Sequence, residues 1–544
     1  MYCLIPIYFI SAANKTKDLK EPYMKVNTEH INDLLSVWTE RILKWLLILT
    51  VTLYIATCLF IVISRINYPF ELEWMEGGSV DTVHQILEGK PIYVPPLISY
   101  APYGYPPLYY YTGAAVTKIM GTGFFPLRLI SILAAAFCFI LIFFMILRET
   151  QLPLAAFLGV GFFIAAYRLT GTWFDIARAD MLFLMFLLGA FYLLRYSSSG
   201  LSLLFAGFLI AFSFLSKQSA LAISIPIMLY CIIEFRWRAL YFILTVGALI
   251  GLSTVILDSM YGGWYKYYVF DVPSLRWSAN HTIPKFIKFW IFDMALPLSI
   301  VWVVTVFTMG RMWVQRSRRA FLFYLFWGIA MVAASAGARS EHGGYANGLL
   351  PVYTFLSVLF GLSFFHIKEW IGLRYKRQEH ILSAFVYFIF ILQFAGMAYF
   401  PQEQIPTQAD KKAGQLLIRK IQNFKGDVLV AHHGYYAVKA GKKGHAQAIA
   451  LSNAIKFCDT KTRENLINSL KQVIRKKHYS ALFLDEMNYP FTELNIDSFY
   501  VPQGRVFNKG DVFFPVTGRK TRPEWIYVPR PDTVSVNQIT AEHE

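Results

Sequence analysis

Charge is scarce in this chain. Only 16% of its 544 residues are Asp, Glu, Lys or Arg, while 56% are hydrophobic. Soluble globular domains run at about 45–50% apolar. Here the excess is gathered into long uninterrupted runs and the mean hydropathy is +0.44, which excludes a wholly soluble protein and predicts an integral membrane one. Cysteine is sparse as well. Cys3, Cys58, Cys138, Cys231 and Cys458 show no paired spacing, so neither a disulfide framework nor a cysteine metal site is expected. Three of the five fall inside apolar runs, where cysteine acts as a small hydrophobe. Basic runs interleaved with aromatics are missing, and nucleic acid is not an expected partner. The apolar opening Met1–Ile10 has no positive region before it and no small-residue cleavage site after it, so it does not read as a cleaved leader.

The charges that remain are ordered. Much of the formal net charge of +17 lies in short loops between apolar runs, which suits anionic lipid headgroups. Lys44–Ser64 is long enough to cross a hydrocarbon core of about 30 Å. Further spans are expected near 124–147, 152–168, 179–195, 201–215, 218–235, 239–257, 288–309, 319–337, 349–366 and 380–399, about eleven helices in all. If the segment 1–43 is cytoplasmic, the even-numbered connections carry Arg148, Arg195, Arg236, Arg238, Arg311, Arg316, Arg318, Arg319, Lys368, Arg374, Lys376 and Arg377. That satisfies the positive-inside rule. The long first outer loop 65–123, the loops 169–178, 258–287 and 338–348, and the tail then share the extracytoplasmic face of what reads as a prokaryotic plasma-membrane protein.

From about residue 405 the composition becomes that of a soluble domain. Leu466, Ile467, Leu470, Val473 and Ile474 keep a helical spacing, and Asp427–Ala431 and Ser480–Leu484 are compact β-type runs. The expected fold is an all-α polytopic membrane domain over 44–400, followed by an extracytoplasmic α/β domain over 401–544. A short parallel sheet resting on the membrane surface is expected there. His432-His433-Gly434-Tyr435-Tyr436 is either a strand-end loop or an acceptor contact.

Most of the candidate chemistry lies in the outer loops. Glu71, Glu73, Trp74 and Glu76 stand within six residues just after the first span. Carboxylates crowded at a membrane edge lose hydration and are costly to keep. They bind a cation, take a proton, or merely cap the helix that starts near Gly77. A glycosyl transfer from a lipid phosphate needs one such carboxylate as base, because phosphate departs as a stable anion; glycoside hydrolases need two. Tyr100–Tyr111, with Tyr103 and Tyr105, supplies aromatic faces for a sugar or an interfacial belt. Asp175, Arg178 and Asp180 border the second outer loop, where they form either a phosphate site or a structural salt bridge. Arg128 and Lys217 are further cations on this face, and Lys217 interrupts an apolar stretch. In the late outer loop, Arg339 and His342 are candidates for phosphate, and Tyr345 and Asn347 for sugar. The adjacent Glu341 and His342 also allow a divalent cation, a weak metal signal.

The order of these motifs carries a resemblance. Glu71–Gly78, then Ile86-Leu87-Glu88-Gly89 with Ile92-Tyr93, Tyr105-Pro106-Pro107-Leu108-Tyr109, Arg128-Leu129-Ile130-Ser131, Phe174–Asp180 and Ser216-Lys217-Gln218 resemble the GT-C superfamily of polyprenyl-phosphate-sugar-dependent glycosyltransferases. The likeness runs over about residues 40–400, towards relatives of protein O-mannosyltransferases and the lipid A aminoarabinose transferase. It implies a lipid-linked sugar donor, an inverting mechanism, and a base in the first outer loop. Family members commonly carry an Asp-Glu pair there, whereas this chain has Glu-Leu-Glu-Trp-Met-Glu. The spacing to Gly89 favours Glu73, with Glu76 second, and either Asp175 or Asp180 matches the second-loop acid. Arg128, Arg178, Lys217 and Arg339 would face the donor phosphate, with Trp74, Tyr103 and Tyr105 beside sugar or acceptor. The acceptor would be a glycan, lipid or protein. A flippase of lipid-linked sugars would need the same phosphate grip without a base, and a non-catalytic assembly subunit would keep the fold without turnover.

Overall fold

A computed structural model describes residues 21–275, 283–341, 343–485, 494–508, 510 and 512–531. His342 and the opening Met1–Ile10 lie outside the described residues. Helix α1 (Glu21–Arg65) starts well before the expected first span and runs through it without a break. Each of the other ten expected stretches is helical too. Among the described residues, seven segments are by themselves long and apolar enough to cross a membrane: Asp33–Arg65, Phe124–Thr150, Ser219–Met260, Ile283–Val314, Arg318–Ser340, Ala346–Arg374 and Lys376–Ala395.

Local chemistry sets the helix ends. α4 (Phe124–Thr150) stops where Gln151 turns left-handed at φ 52°. Pro153 then opens α5 (Pro153–Ala165), in the first turn, where its missing N–H costs nothing. α6 (Asp180–Tyr196) and α7 (Gly200–Ser216) form an antiparallel pair. α8 (Ser219–Phe235) and α9 (Ala239–Met260) are separated by a short 3-10 turn at Arg236–Arg238. Helix Leu350–Arg374 is the centre of the bundle and is buried throughout Leu350–Phe364. It packs on α5 closely enough that a Cβ on Gly361 would lie 2.6 Å from the Ala155 carbonyl oxygen, the small-residue contact that lets membrane helices approach. Around the periphery Trp45, Leu53, Phe60, Phe137, Phe144, Leu252 and Val306 are exposed. This is the apolar belt of an integral membrane protein.

The loop 65–123 is not open chain. It contains α2 (Glu76–Leu87) and α3 (Leu108–Met120), two helices too short to cross. The tail is a mixed rather than parallel domain. β1 (Val428–Val430), β2 (Ala481–Leu484), β3 (Tyr500–Arg505) and β4 (Trp525–Pro529) lie in the order β1-β2-β4-β3. Only the β1–β2 pair is parallel. These two strands are buried on both faces, as parallel strands are. β4 runs antiparallel to both neighbours. β3 forms the polar edge with a bulge between Pro502 and Gly504, the kind of strand that escapes a search for apolar runs. Leu429, Leu482 and Leu484 pack with Leu466 and Leu470 on one side of the sheet, and Val428, Val430 and Phe483 with Leu417 and Ile421 on the other. Tyr103 belongs to the first of these cores and Phe70 to the second. The domain therefore does not merely rest on the membrane part: it shares its core with the loop 65–123.

Candidate active site

Two buried ion pairs hold the loops that build the site. Arg128, in the first turns of α4, donates to both carboxylate oxygens of Glu76, at 3.1 and 2.7 Å, and to the carbonyls of Tyr68 and Phe70, each at 2.7 Å. Glu76 also accepts from the backbone N–H of Leu72 at 2.7 Å and of Ala177 at 2.6 Å, tying the loop 65–123 to the loop 169–178. Arg65, at the end of α1, donates to Asp175 at 2.7 and 2.5 Å and to the carbonyls of Thr172 and Gln404, each at 2.9 Å. Tyr167 donates to the same carboxylate at 2.8 Å. Arg65, Glu76, Arg128 and Asp175 are fully buried. A buried charge this completely paired is a structural clamp, and removing one partner strands the other. Glu76, Arg128 and Asp175 thus frame the site without facing into it.

What they frame is a second set of charges. The Glu73 carboxylate accepts from the Met75 N–H at 3.2 Å and lies 3.7 Å from the Arg178 guanidinium. Arg178 donates to the Tyr105 hydroxyl at 2.9 Å, and its guanidinium sits 5.2, 5.9 and 6.0 Å from the ring centroids of Tyr105, Trp173 and Tyr103. Asp180, at the first turn of α6, accepts from Lys217 at 2.6 Å, Trp173 Nε1 at 2.8 Å and Asn347 Nδ2 at 3.0 Å. Gln218 donates to the Gly104 carbonyl at 2.8 Å, beside the aromatic block. Burial pushes Glu73 up to about 8 although Arg178 opposes the shift. A carboxyl poised near working pH is suited to accept a proton.

The structure brings Glu73, Tyr103, Tyr105, Arg178, Asp180, Lys217 and Asn347 into one cluster. Tyr345 lies at its edge, with its ring 5.3 Å from Trp173 and its hydroxyl 3.0 Å from Thr517 Oγ1. Trp74 is half-buried beside His432, 6.1 Å between ring centroids. Arg339 does not join them. It pairs with Asp293 at 2.8 and 3.1 Å and with the Gly344 carbonyl at 2.7 Å. Among the described residues no group of three or more His, Cys, Asp or Glu is arranged to hold a metal ion. Glu73 and Asp180 are each already matched by a fixed cation.

Sequence reasoning missed the contributions that arrive from far along the chain. Thr517 forms a parallel bridge with Glu73, donates its N–H to the Leu72 carbonyl at 3.1 Å and its hydroxyl to the Gly171 carbonyl at 2.5 Å. Gly518 follows at φ 78°, where a Cβ would stand 2.9 Å from Glu73 Oε1. Gln447 meets the Tyr103 hydroxyl, and Trp173 links Arg178 with Asp180. Trp173 alone had a local signal, as an aromatic inside a short polar outer loop.

Residues 105–258 match the family model described as dolichyl-phosphate-mannose-protein mannosyltransferase. The chain superposes on the crystal structure of ArnT from Cupriavidus metallidurans bound to undecaprenyl phosphate with a TM-score of 0.58, at 12% identity over 88% of this chain and 97% of that one. The apo structure of ArnT from the same organism gives 0.57 at 13% identity, with the same coverage. The chain has the GT-C fold. An archaeal oligosaccharyltransferase, AglB from Archaeoglobus fulgidus in complex with an inhibitory peptide and a dolichol-phosphate, aligns at 0.49 and 11% identity over 84% of this chain and 73% of that one. No curated protein sequence matches this one. Within this GT-C fold the matched segment 105–258 contains Tyr105, Arg128, Arg178, Asp180 and Lys217.

Proposed function

We propose that this chain is an inverting glycosyltransferase that moves a sugar from a polyprenyl-phosphate donor to a glycan, lipid or protein acceptor. The reaction takes place on the extracytoplasmic face of a prokaryotic plasma membrane, opposite a cytoplasmic N-terminus. The observation that carries it is the juxtaposition of Glu73 with Arg178 and, through Asp180, Lys217, in an aromatic-lined site. The family-model match and the likeness to ArnT, which has a crystal structure bound to undecaprenyl phosphate, support the donor class.

In this reading the acceptor's oxygen or nitrogen attacks the anomeric carbon as Glu73 takes its proton. The bond from that carbon to the phosphate oxygen breaks with inversion, and the electron pair leaves on polyprenyl phosphate. Arg178 and Lys217 receive the charge that develops on the phosphate, a role in which fixed cations gain from being dry and preorganised. Asp180 aims Lys217 and holds Asn347 and Trp173. Tyr103, Tyr105 and Trp173 offer faces to the sugar, and the lipid tail enters between helices below the cluster.

The test is sugar transfer by the purified protein in lipid, from a panel of labelled polyprenyl-phosphate sugars to cell-envelope extract, with Glu73→Gln alongside. Transfer, or slow donor hydrolysis, that collapses in the variant establishes both the reaction and its base. Flux of labelled lipid across proteoliposomes without covalent product would replace this reading with lipid transport.

A further inference from the structure

Among the buried titratable groups of the α/β domain, His433 lies against the loop that carries Glu73. His433 follows β1, is 1% exposed, and stacks flat on Tyr436 at 5.4 Å between centroids. Its Nδ1 bonds Glu71 of the first outer loop. Its Nε2 bonds Asp485, just past β2, at 3.0 Å. An imidazole with a carboxylate on each nitrogen satisfies both only by donating from both, which makes it a cation between two anions. The other groups facing this triad are known. Thr521 bonds the Asp485 carboxylate, and His432 Nδ1 lies 3.5 Å from it. Tyr436 Oη accepts the Glu71 N–H at 3.2 Å, and Asp81 of α2 and Glu76 bear electrostatically on Glu71. Glu71 Oε1 in turn accepts the N–H of Gly77, at the start of α2, at 3.1 Å. The loop 71–77 that carries Glu73 is thus gripped from the tail at two points, Glu71 through His433 and Leu72–Glu73 through Thr517.

We propose that His433, held between Glu71 and Asp485, is a positioning residue for transfer, fixing the loop that presents Glu73, so that the C-terminal α/β domain is part of the catalytic apparatus. This rests on the reading of Glu73 as base. A carboxylate misplaced by roughly 1 Å can lose about a hundredfold in rate, and the contacts of His433 with Glu71, Asp485 and Tyr436 bear on the loop and the tail.

The experiment compares full-length wild type, His433→Gln, Asp485→Asn and Glu71→Gln/His433→Gln in lipid, measuring kcat, donor KM and thermal midpoint, with Glu73→Gln alongside. His433→Gln is expected to lower kcat by about ten- to a hundredfold with donor KM within about twofold. Asp485→Asn, which keeps an acceptor for Nε2, is expected to show a smaller loss of the same kind. The double variant removes the stranded carboxylate and should recover part of the kcat lost by His433→Gln. Wild-type kcat in His433→Gln overturns the proposal. So does a loss of kcat, KM and thermal midpoint together in both His433→Gln and Asp485→Asn, which would mark plain unfolding. Full activity of Glu73→Gln would overturn the base assignment instead, a result separable from any effect of His433.

Discussion

Glu73 and Arg178 face each other at 3.7 Å, with side chains 1% and 6% exposed. The pair is looser than the clamps around it, Arg128–Glu76 at 2.7 Å and Arg65–Asp175 at 2.5 Å. Among the described residues its hydrogen-bond partners are also fewer: one backbone N–H for the Glu73 carboxylate and one tyrosine hydroxyl for the Arg178 guanidinium. A tight, fully hydrogen-bonded pair fixes a structure, whereas a loose buried pair leaves both members available to a third group. That difference ranks the candidates for chemistry. Glu73→Gln should lower transfer by about two to four orders of magnitude, the usual worth of a positioned general base, with donor binding retained. Steady-state kinetics beside a donor-lipid binding assay would show the split.

The same pair fixes a pH dependence. Burial raises Glu73 to about 8, and only the ionised form accepts a proton, so kcat/KM should climb as pH rises through about 8 and level off above it. Arg178 favours the ionised form, so Arg178→Gln should move that limb to higher pH as well as lowering the plateau. A pH–rate profile of both proteins checks this. A limb that stays in place would separate the titrating group from Arg178.

Lys217 is held in the cluster by Asp180, at 2.6 Å. Lys217→Met should reduce transfer by about a hundred- to a thousandfold if the ammonium meets charge developing on the phosphate. Asp180→Asn keeps one acceptor oxygen for Lys217 and Asn347 while its amide replaces the acceptor of Trp173; the anion is lost but the ammonium stays, so it should cost less. A variant pair in which Asp180→Asn is the more damaging would place the chemistry on the carboxylate instead.

How much of this was legible beforehand differs from residue to residue. Lys217 and Asp180 stood out because each interrupts or borders an apolar run. The three glutamates of the first outer loop did not sort themselves, since nothing local separates Glu71, Glu73 and Glu76. The fold sorts them by giving each its own cation from a different part of the chain: His433 to Glu71, Arg178 to Glu73 and Arg128 to Glu76. Partners so distant in sequence leave no periodicity to read. The helices were legible for the opposite reason, because apolar length is a local property. In the tail, β1 and β2 were visible as apolar runs, while β3, with its proline and glycine, was not.

The Arg128–Glu76 clamp predicts a stability effect distinct from catalysis. Arg128→Met leaves Glu76 buried and unpaired and should cost about 3–5 kcal/mol. The double variant Arg128→Met/Glu76→Gln should recover a good part of that, because no buried charge is then stranded. Thermal unfolding in lipid for the wild type, both single variants and the double variant closes the cycle. Additive losses would mean that the two residues do not act as a pair.

Gly518 tests the closeness of the tail to Glu73 from the other side. It turns at φ 78°, and a Cβ there would lie 2.8 Å from Trp74 Cδ1 and 2.9 Å from Glu73 Oε1. Alanine held in the left-handed conformation is strained by about 1–2 kcal/mol, and there it must also push the Glu73 carboxylate aside. Gly518→Ala should lose only a few degrees of thermal midpoint yet fall by about a hundredfold in transfer, since the displaced group is the base itself. Gly441, in the same domain at φ 75° with nothing within 4 Å of its would-be Cβ, supplies the control. Gly441→Ala should show a similar strain in stability and keep its activity. Equal loss of activity in both would mean that the tail acts through its fold alone, without touching the carboxylate.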